Sequence, residues 1–328
     1  MSPNRHHPLF QEFDRIPARS ESQFDINFIG SKVRHDFELP MPSRGIYSSG
    51  RCYVVNESDP SLPVMTSEDY LEWIDLIEAI HNAEETFVMI EAGAGYGRWL
   101  VNAAHAVRKF KKSQIKRIQL VGIEPDPVRF SYMGEHFIDN GISPEDHQLI
   151  QAGVSDKAGT FFQSQSENKM WSYGQSLLHQ DNFDEMAKTL SSPELVTEDG
   201  FVMARGVECI PLSAVIAKFS QVDLLDCDLQ GEELRVIQES IDLLTAKVKR
   251  LHIGTHSEEI ERGLRELMSS HGWECLNDYS LGKRLPTPFG IVPFLDGIQT
   301  WVNPKLVSKE AIKASQERLN ASENHRSN

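Results

Sequence analysis

FVMIEAGAGYGRW, residues 87–99, is the stretch whose reading decides the fold. Phe87 to Ile90 read as a buried strand, Glu91 falls at its carboxyl end, and Gly93, Gly95 and Gly97 predict a tight turn into a helix beginning near Arg98. Without Cβ atoms such a turn lets its backbone approach a ligand closely. A dinucleotide-binding turn spaces its glycines G-x-G-x-x-G around a pyrophosphate; here the third glycine comes one residue early, and Arg98 stands where that pattern needs glycine. An acid two residues before the first glycine repels a pyrophosphate and suits a cation. The same glycines would also serve a plain turn between a core strand and a helix.

Working outward, strands alternate with helices. Upstream, Thr66 with Asp69 forms a capping-box start for SEDYLEWIDLIEAIHNAEE, whose Tyr70, Trp73, Ile74, Ile77 and Ile80 share one face. Downstream come a helix from about Arg98 to Lys109, a strand over Ile118–Ile123, and a helix through Asp139 with Asp126 as N-cap, Pro127 at its first position and Gly141 as its stop. Strand-like stretches follow at 147–154, 222–227, 250–255 and 297–302, with helical patterns at 232–244 and 258–271. This alternation predicts an α/β fold with a mostly parallel sheet covered on both faces. Between Gly159 and Gly206 the alternation lapses; that stretch, with Trp171 and Tyr173, reads as an insertion or lid over the sheet's carboxyl edge. The expected organisation is an N-terminal extension or cap over 1–66, a main domain over 67–304 with its insertion at about 159–206, and a polar tail over 305–328, helical from Lys305 to Arg318. Short apolar islands in the extension, Phe24–Ile29 and Tyr53–Val55, are too small to bury a core alone and are expected to pack on the main domain or form a lid.

Composition narrows the partners. The 328 residues carry 33 Lys+Arg against 48 Asp+Glu, a net charge of -15 that repels phosphate backbones, so nucleic acid is not the expected substrate. The basic run from Arg108 to Arg117 reads as a solvated helix end. Cys52, Cys209, Cys227 and Cys275 show neither zinc-ligand nor disulfide spacing. No apolar run reaches membrane-spanning length and the opening residues lack a signal peptide's apolar region, so a cytoplasmic protein with no membrane partner is expected; its oligomeric state stays open.

In an open α/β sheet, ligands sit beyond the carboxyl ends of the strands. The polar residues there are Glu91; Glu124 in VGIEPDP; Gly153 and Ser155 in QAGVSD; Asp226 and Asp228 in VDLLDCDLQGEEL; and Thr255 and His256 in RLHIGTHSEEIE. Glu124 is placed to accept both ribose hydroxyls of a nucleoside, and the backbone of 152–155, with Gly153 and Val154, to pass beneath an adenine. Each also has a plainer reading: Glu124 as a surface acid, Asp228 as a helix cap, and His256 as a neighbour of the capping Ser257.

The pattern E-x-G-x-G-x-G resembles the cofactor loop of class I S-adenosylmethionine (SAM)-dependent methyltransferases, whose ligand carries a sulfonium, an amino group and a carboxylate. Taken in order with IEPDP, the VSD turn, DLLDCDLQGEEL and IGTHS, it resembles the FkbM-type methyltransferases. EDYLEWIDLIEAI, SYGQS and FLDGIQTWVNP are similar to a subset of that family, so the likeness spans roughly residues 67–304. The resemblance implies a Rossmann-like class I methyltransferase fold, a seven-stranded sheet with one antiparallel strand, and methyl transfer to a hydroxyl of a sugar, glycan or other small metabolite. It also implies that Glu91, Gly93, Gly95, Gly97 and Glu124 hold the cofactor. One departure stands out: D-x-x-G-x-E more often has Lys or His two residues before the aspartate, whereas here that place is Asp226.

A hydroxyl acceptor needs a base, worth roughly 10²- to 10⁴-fold. Asp228 and His256 are the candidates, His256 the better on an intrinsic pKa of about 6.5. Asp226, Asp228, Glu232 and His256 could alternatively hold Mg²⁺, which would acidify the hydroxyl directly; Asp226 and Asp228 can share a side of their strand while Cys227 points the other way. The histidines at 6, 7, 81, 105, 136, 147, 179, 252 and 271 have no ligand spacing and read as surface or core residues. Other readings are methylation of nitrogen or carbon on a small acceptor, a domain that binds SAM without turnover, and a nicotinamide-dependent dehydrogenase, against which Arg98 and the glycine spacing count. No [DN]-P-P-[FYW] run of amino-methylating nucleic-acid enzymes is present.

Overall fold

Seven strands, each bounded by helix or turn signals, build the central sheet: β1 (Thr86–Ala92), β2 (Arg117–Ile123), β3 (Gln148–Ile150), β4 (Val222–Cys227), β5 (Val248–Thr255), β6 (Glu274–Tyr279) and β7 (Gly297–Val302). They are seen in a computed structural model that describes residues 6–37, 56–65, 67–112, 114–165, 177–178, 194–197 and 200–320. The strand order is β3-β2-β1-β4-β5-β7-β6. All run parallel except β7, which is antiparallel to both β5 and β6. This is the seven-stranded, mostly parallel α/β sheet with one antiparallel strand that the resemblance implied. The chain winds outward from β1 through β2 to β3, then returns to β4 on β1's other side. The switch point between β1 and β4 opens a cleft at the carboxyl ends of both.

Alternation of side chains along the strands divides the core in two. Phe87, Met89 and Leu224 face α1 (Asp69–His81), α2 (Arg98–Lys109) and α3 (Pro127–Asp139). Val88, Ile90, Leu225, Cys227 and Ile253 face the other way, with α4 (Leu212–Ile216), α5 (Glu233–Lys247) and α6 (Glu258–Ser270). Asp126 caps α3 as expected, accepting from the Val128 and Arg129 amides. For α1, Thr66 lies outside the described residues, and Ser67 Oγ receives the Asp69 amide at 3.3 Å.

The N-terminal segment is built into the first core. Leu9, Phe10, Phe13, Phe28 and Ile29 are buried against α1 and α2, and Arg19–Ser20, Phe24–Ile26 and Lys32–Arg34 form a small antiparallel sheet. Asn140, beyond α3, holds this segment edge-on: its Oδ1 accepts from the Lys32 amide and its Nδ2 donates to the Lys32 carbonyl, both at 2.8 Å. Phe37 then stacks on Tyr132 at 4.8 Å and lies 5.6 Å from the ring of Tyr96, which sits inside the glycine turn. The Tyr53–Val55 island lies outside the described residues.

Two expectations need correction. The stretch expected as one strand over 147–154 divides between two sheets: β3 ends at Ile150, whose carbonyl accepts from both Glu124 and Ala152 amides, and Gly153–Ser155 joins a second sheet. That second sheet occupies much of the region read as a lapse. Gly159–Gln165 pairs antiparallel with the long strand Gly200–Pro211, which also pairs with Glu194–Thr197 and, in parallel, with Gly153–Ser155. GTFFQSQ and GFVMARGVECIP are not followed by helical patterns as the parallel strands are, and their pairing across a long connection leaves no local signal. Trp171, Tyr173 and the SYGQS segment lie outside the described residues. The strand β6 and the hairpin Lys283–Thr287/Gly290–Phe294 before β7 were not anticipated either. The final helix α7 (Lys309–Asn320) begins four residues later than expected.

Among the described residues no helix is long and apolar enough to cross a membrane. In the basic run, Lys112 pairs with Glu12 and Lys116 with Glu85 on the surface. Cys209 and Cys227 are buried free thiols and Cys275 is an exposed one; Cys52 lies outside the described residues.

A candidate active site at the sheet's switch point

The glycine turn leaves β1 in the left-handed region, with φ of +85° at Gly93, +54° at Gly95 and +70° at Gly97. The three glycines do different work. A Cβ on Gly93 would stand 1.8 Å from the Asp228 carbonyl oxygen, so the turns after β1 and β4 touch backbone to backbone. A Cβ on Gly97 would meet Met133 at 2.8 Å: this glycine seats the turn on α3, and it does not line the cleft. Beside Gly95 there is nothing within 4 Å, and this glycine faces the cleft. The wall opened there is the cradle that a bound nucleoside cofactor requires.

The flanking acids carry the electrostatics. Glu124, beyond β2, accepts the Gly95 amide at 2.8 Å and the Asp126 amide at 2.7 Å, clamping the turn while still lining the cleft. Burial pushes its carboxyl up to about 7, against the opposing pull of those amides and Arg129. Glu91 is 5% exposed and accepts the Leu100 amide at 3.2 Å, so it caps the start of α2 as well as facing the cleft. Burial, then the neighbouring Asp226, holds its carboxyl well above the usual range. Gly153 and Val154 line the same cleft from the opposite side. Six of the seven residues expected to hold the cofactor thus converge on one cleft. With its open cradle at Gly95, an acid on each side and an apolar floor at Val154, it fits SAM.

At the end of β4 the expected catalytic residues meet each other. His256 Nε2 lies 3.4 Å from Asp228 Oδ1, while its Nδ1 lies 2.8 Å from Glu233 Oε1. Asp228 lines the cleft; His256 stands behind it. Burial lowers the imidazole's affinity for a proton, but Glu233, Asp228 and Asp296 override it and raise the His256 pKa to about 9. At neutral pH His256 is therefore an imidazolium, and the premise of an ordinary imidazole does not hold at this position.

The set of possible metal ligands also differs from the expected one. Ligand atoms of Asp228, Glu233 and His256 lie within 4.8 Å of one another, whereas Asp226 and Glu232 stand outside that group. The reason is the turn between β4 and α5: Gln230 at φ +54° and Gly231 at φ +111° reverse the chain. Glu233 is thereby carried inward, where its Oε1 accepts the Leu229 and Gly231 amides, and Glu232 is left beside Arg235. Glu233 is the last acid of D-x-x-G-x-E, so its signal was present in the motif.

A row of polar residues crosses the sheet at the cleft, of which only Glu91 and Asp226 stood out as site residues in the sequence. Strand register places Glu91, Asp226, His252, Thr300 and Asn277 side by side on β1, β4, β5, β7 and β6. Above them α1 sends down Asp75, which takes Arg250 Nη1 at 2.8 Å, His252 Nδ1 at 2.6 Å and Thr300 Oγ1 at 2.5 Å. Arg318 of α7 binds Glu78 through two contacts of 2.6 Å, tying the last helix to α1. His252, expected to have only a surface or core role, lines the cleft.

Residues 91–272, more than half of the chain, match the methyltransferase FkbM domain. A "Putative methyltransferase" of Jannaschia sp. (strain CCS1) is 26% identical over 265 residues, covering 80% of this chain and 86% of that protein. Similar solved structures include a precorrin-6y C5,15-methyltransferase from Geobacter metallireducens GS-15, at 10% identity and a TM-score of 0.39 over 71% of this chain and 87% of that one. Another is the methyltransferase FkbM from Methylobacillus flagellatus KT, at 12% identity and a TM-score of 0.38 over 67% of this chain and 44% of that one. Overlays this loose add nothing to the strand order described above. It is the match through glycine turn, β4 turn and α6 that places the protein: the chain belongs to the FkbM methyltransferase family and is a SAM-dependent methyltransferase.

Proposed function

We propose that the enzyme methylates a hydroxyl of a small-molecule or glycan acceptor, with Asp228 as the base and His256 as its positioning partner. The observation that carries this reading is the placement of Asp228: its carboxylate lines the cleft beside the glycine turn, with an imidazolium 3.4 Å behind it. SAM supplies an electrophilic methyl on a sulfonium, so holding the acceptor in line provides much of the acceleration. Asp228 accepts the acceptor's proton as the oxygen bonds to the methyl carbon and the pair of the broken C–S bond returns to sulfur. Partial desolvation in the cleft, with Glu233 and Asp296 nearby, raises the pKa of the half-exposed Asp228, which strengthens it as a base, while His256 limits that rise. Glu124 and Glu91 orient, and Val154 with its neighbours excludes water. The net negative charge of the chain favours such an acceptor over nucleic acid.

A second reading is favoured by one geometric fact, the grouping of Asp228, Glu233 and His256 within 4.8 Å. In it these residues, with His256 deprotonated, hold a divalent cation such as Mg²⁺ that acidifies the hydroxyl. Methyl-labelled SAM incubated with a panel of sugars and hydroxylated metabolites tests both. Label recovered as an O-methyl product that is insensitive to chelation supports Asp228 as base. Activity lost to chelation and restored by Mg²⁺ supports the cation instead, and label found only on nitrogen or carbon overturns the hydroxyl assignment.

A further inference from the structure

The cleft is far more acidic than its cofactor explains. Among the described residues, eight carboxylates line it against two guanidiniums and His252. One of those guanidiniums, Arg98, is already paired with Asp69 on α1. Glu91 and Glu124 belong to the cofactor's side. The others that matter here lie across from the glycine turn: Glu68 and Glu72 on the first turn of α1, Asp226 on β4, and Asp296 in the turn before β7. Glu68 Oε2 accepts the Leu295 amide at 2.9 Å, so the α1 end and the turn carrying Asp296 form one continuous acidic wall.

Asp226 is the observation that points to a ligand. It is 8% exposed and lines the cleft, and among the described residues no side chain donates a hydrogen bond to it. Its neighbours in register are Glu91 on one side and His252 on the other, and the His252 Nδ1 is taken by Asp75. The cation facing it, His252, is shared with Asp75, and a buried carboxylate whose charge is only partly balanced is costly by several kcal/mol, so a proton or a further cation must sit there. A metal ion does not suit it, because the group of ligand atoms close enough to hold one omits Asp226. An organic cation, larger and able to reach Glu72 and Asp226 together, does.

We propose that the methyl acceptor is cationic, a hydroxyl compound bearing a protonated amine that is seated between Asp226 on β4 and Glu72 on α1. This rests on the hydroxyl-transfer reading and names its substrate class. SAM brings two positive groups and one negative, a net single positive charge, and leaves most of the acidic wall unbalanced. Burial and the adjoining acids hold Glu72 well above the usual carboxylate range in the absence of ligand. An ammonium arriving between Asp226 and Glu72 favours the ionised form of Glu72, so its binding releases a proton. A neutral acceptor would leave Glu72 as it is.

Two sugars that differ in one group provide the test: glucosamine, with its amine protonated, and glucose. Each is titrated calorimetrically into the full-length protein with and without saturating S-adenosylhomocysteine, in two buffers of different ionisation enthalpy. Glucosamine is expected to bind at least about tenfold more tightly than glucose, with proton release to the buffer. Glu72→Gln and Asp226→Asn should each reduce that preference to less than about threefold; should Asp226→Asn fail to fold, Glu72→Gln alone decides. Equal binding of the two sugars, binding of neither, or a preference abolished by EDTA overturns the proposal. S-adenosylhomocysteine serves as an internal reference. Its failure to bind the wild type would refute the cofactor reading, while the sugar preference is still read in its absence.

Discussion

Replacing Glu124 by glutamine tests the cofactor half of the cleft in isolation. The carboxylate clamps the turn through the Gly95 and Asp126 amides, and its remaining lone pairs face the space where a ribose would lie. Gln keeps the shape and one acceptor oxygen but loses the charge and turns an amide N–H toward one of its former donors. A hydrogen bond to a charged group is worth about 1.5–3 kcal/mol, and each 1.4 kcal/mol is tenfold in affinity, so S-adenosylhomocysteine should bind about 10- to 150-fold more weakly. A second signature comes from the Glu124 pKa of about 7. The form that accepts ribose hydroxyls is the carboxylate, which dominates above that value, so wild-type affinity should fall roughly tenfold between pH 8 and pH 6 as the competent fraction drops. The Gln variant should be flat over that interval. Isothermal titration at several pH values, with thermal melting to confirm the fold, measures both. An unchanged dissociation constant together with the same pH slope in the variant would refute the argument.

Gly93→Ala should remove cofactor binding and lower the melting temperature, since its Cβ would stand 1.8 Å from the Asp228 carbonyl oxygen; calorimetry and melting curves read both effects. Asp228→Asn should lower turnover by roughly 10²- to 10⁴-fold with cofactor affinity little changed, which steady-state kinetics on the identified acceptor would check. Arg250→Met removes the cation that Asp75 and Glu78 share in the core and should cost about 3–5 kcal/mol in urea unfolding. Stability of the ligand-free protein should decline from pH 7 to pH 9. The raised His256 pKa stabilises the folded state fully below the unfolded value of 6.5, and that contribution is lost as pH rises through about 9; melting curves of wild type and His256→Gln should converge at the alkaline end.

The parallel sheet and its cofactor edge were legible because their signals are local. An apolar run, an acid and a glycine turn lie within residues 87–99, and Glu124 follows its strand directly. Asp75 shows why the rest was not. In sequence it interrupts an apolar helical face, and only Arg250, His252 and Thr300, far along the chain, make its burial sustainable. His252 lies in mid-strand, with nothing nearby to mark it as a cleft residue. Glu233 was displaced by its neighbour Glu232 because the choice between them depends on the backbone reversal at Gln230 and Gly231. The charge state of His256 depends on Glu233 and Asp296, which only the fold brings beside it.

The contact between Gly93 and the Asp228 carbonyl constrains how this enzyme can diversify. Because those two turns abut through backbone atoms, the glycine loop and the end of β4 behave as one fixed jaw, and neither can be reshaped without displacing the other. The opposing jaw is made of side chains on the first turn of α1 and of the turn between the hairpin and β7, which meet through the Glu68 hydrogen bond to the Leu295 amide and, in the hairpin, the packing of Tyr70 on Phe289. Loop lengths and side chains there can change at little cost to cofactor geometry. New acceptor preferences should therefore arise by mutation on that side, and directed evolution aimed at residues 68–72 and 283–296 should recover altered specificity more often than libraries aimed at the glycine turn.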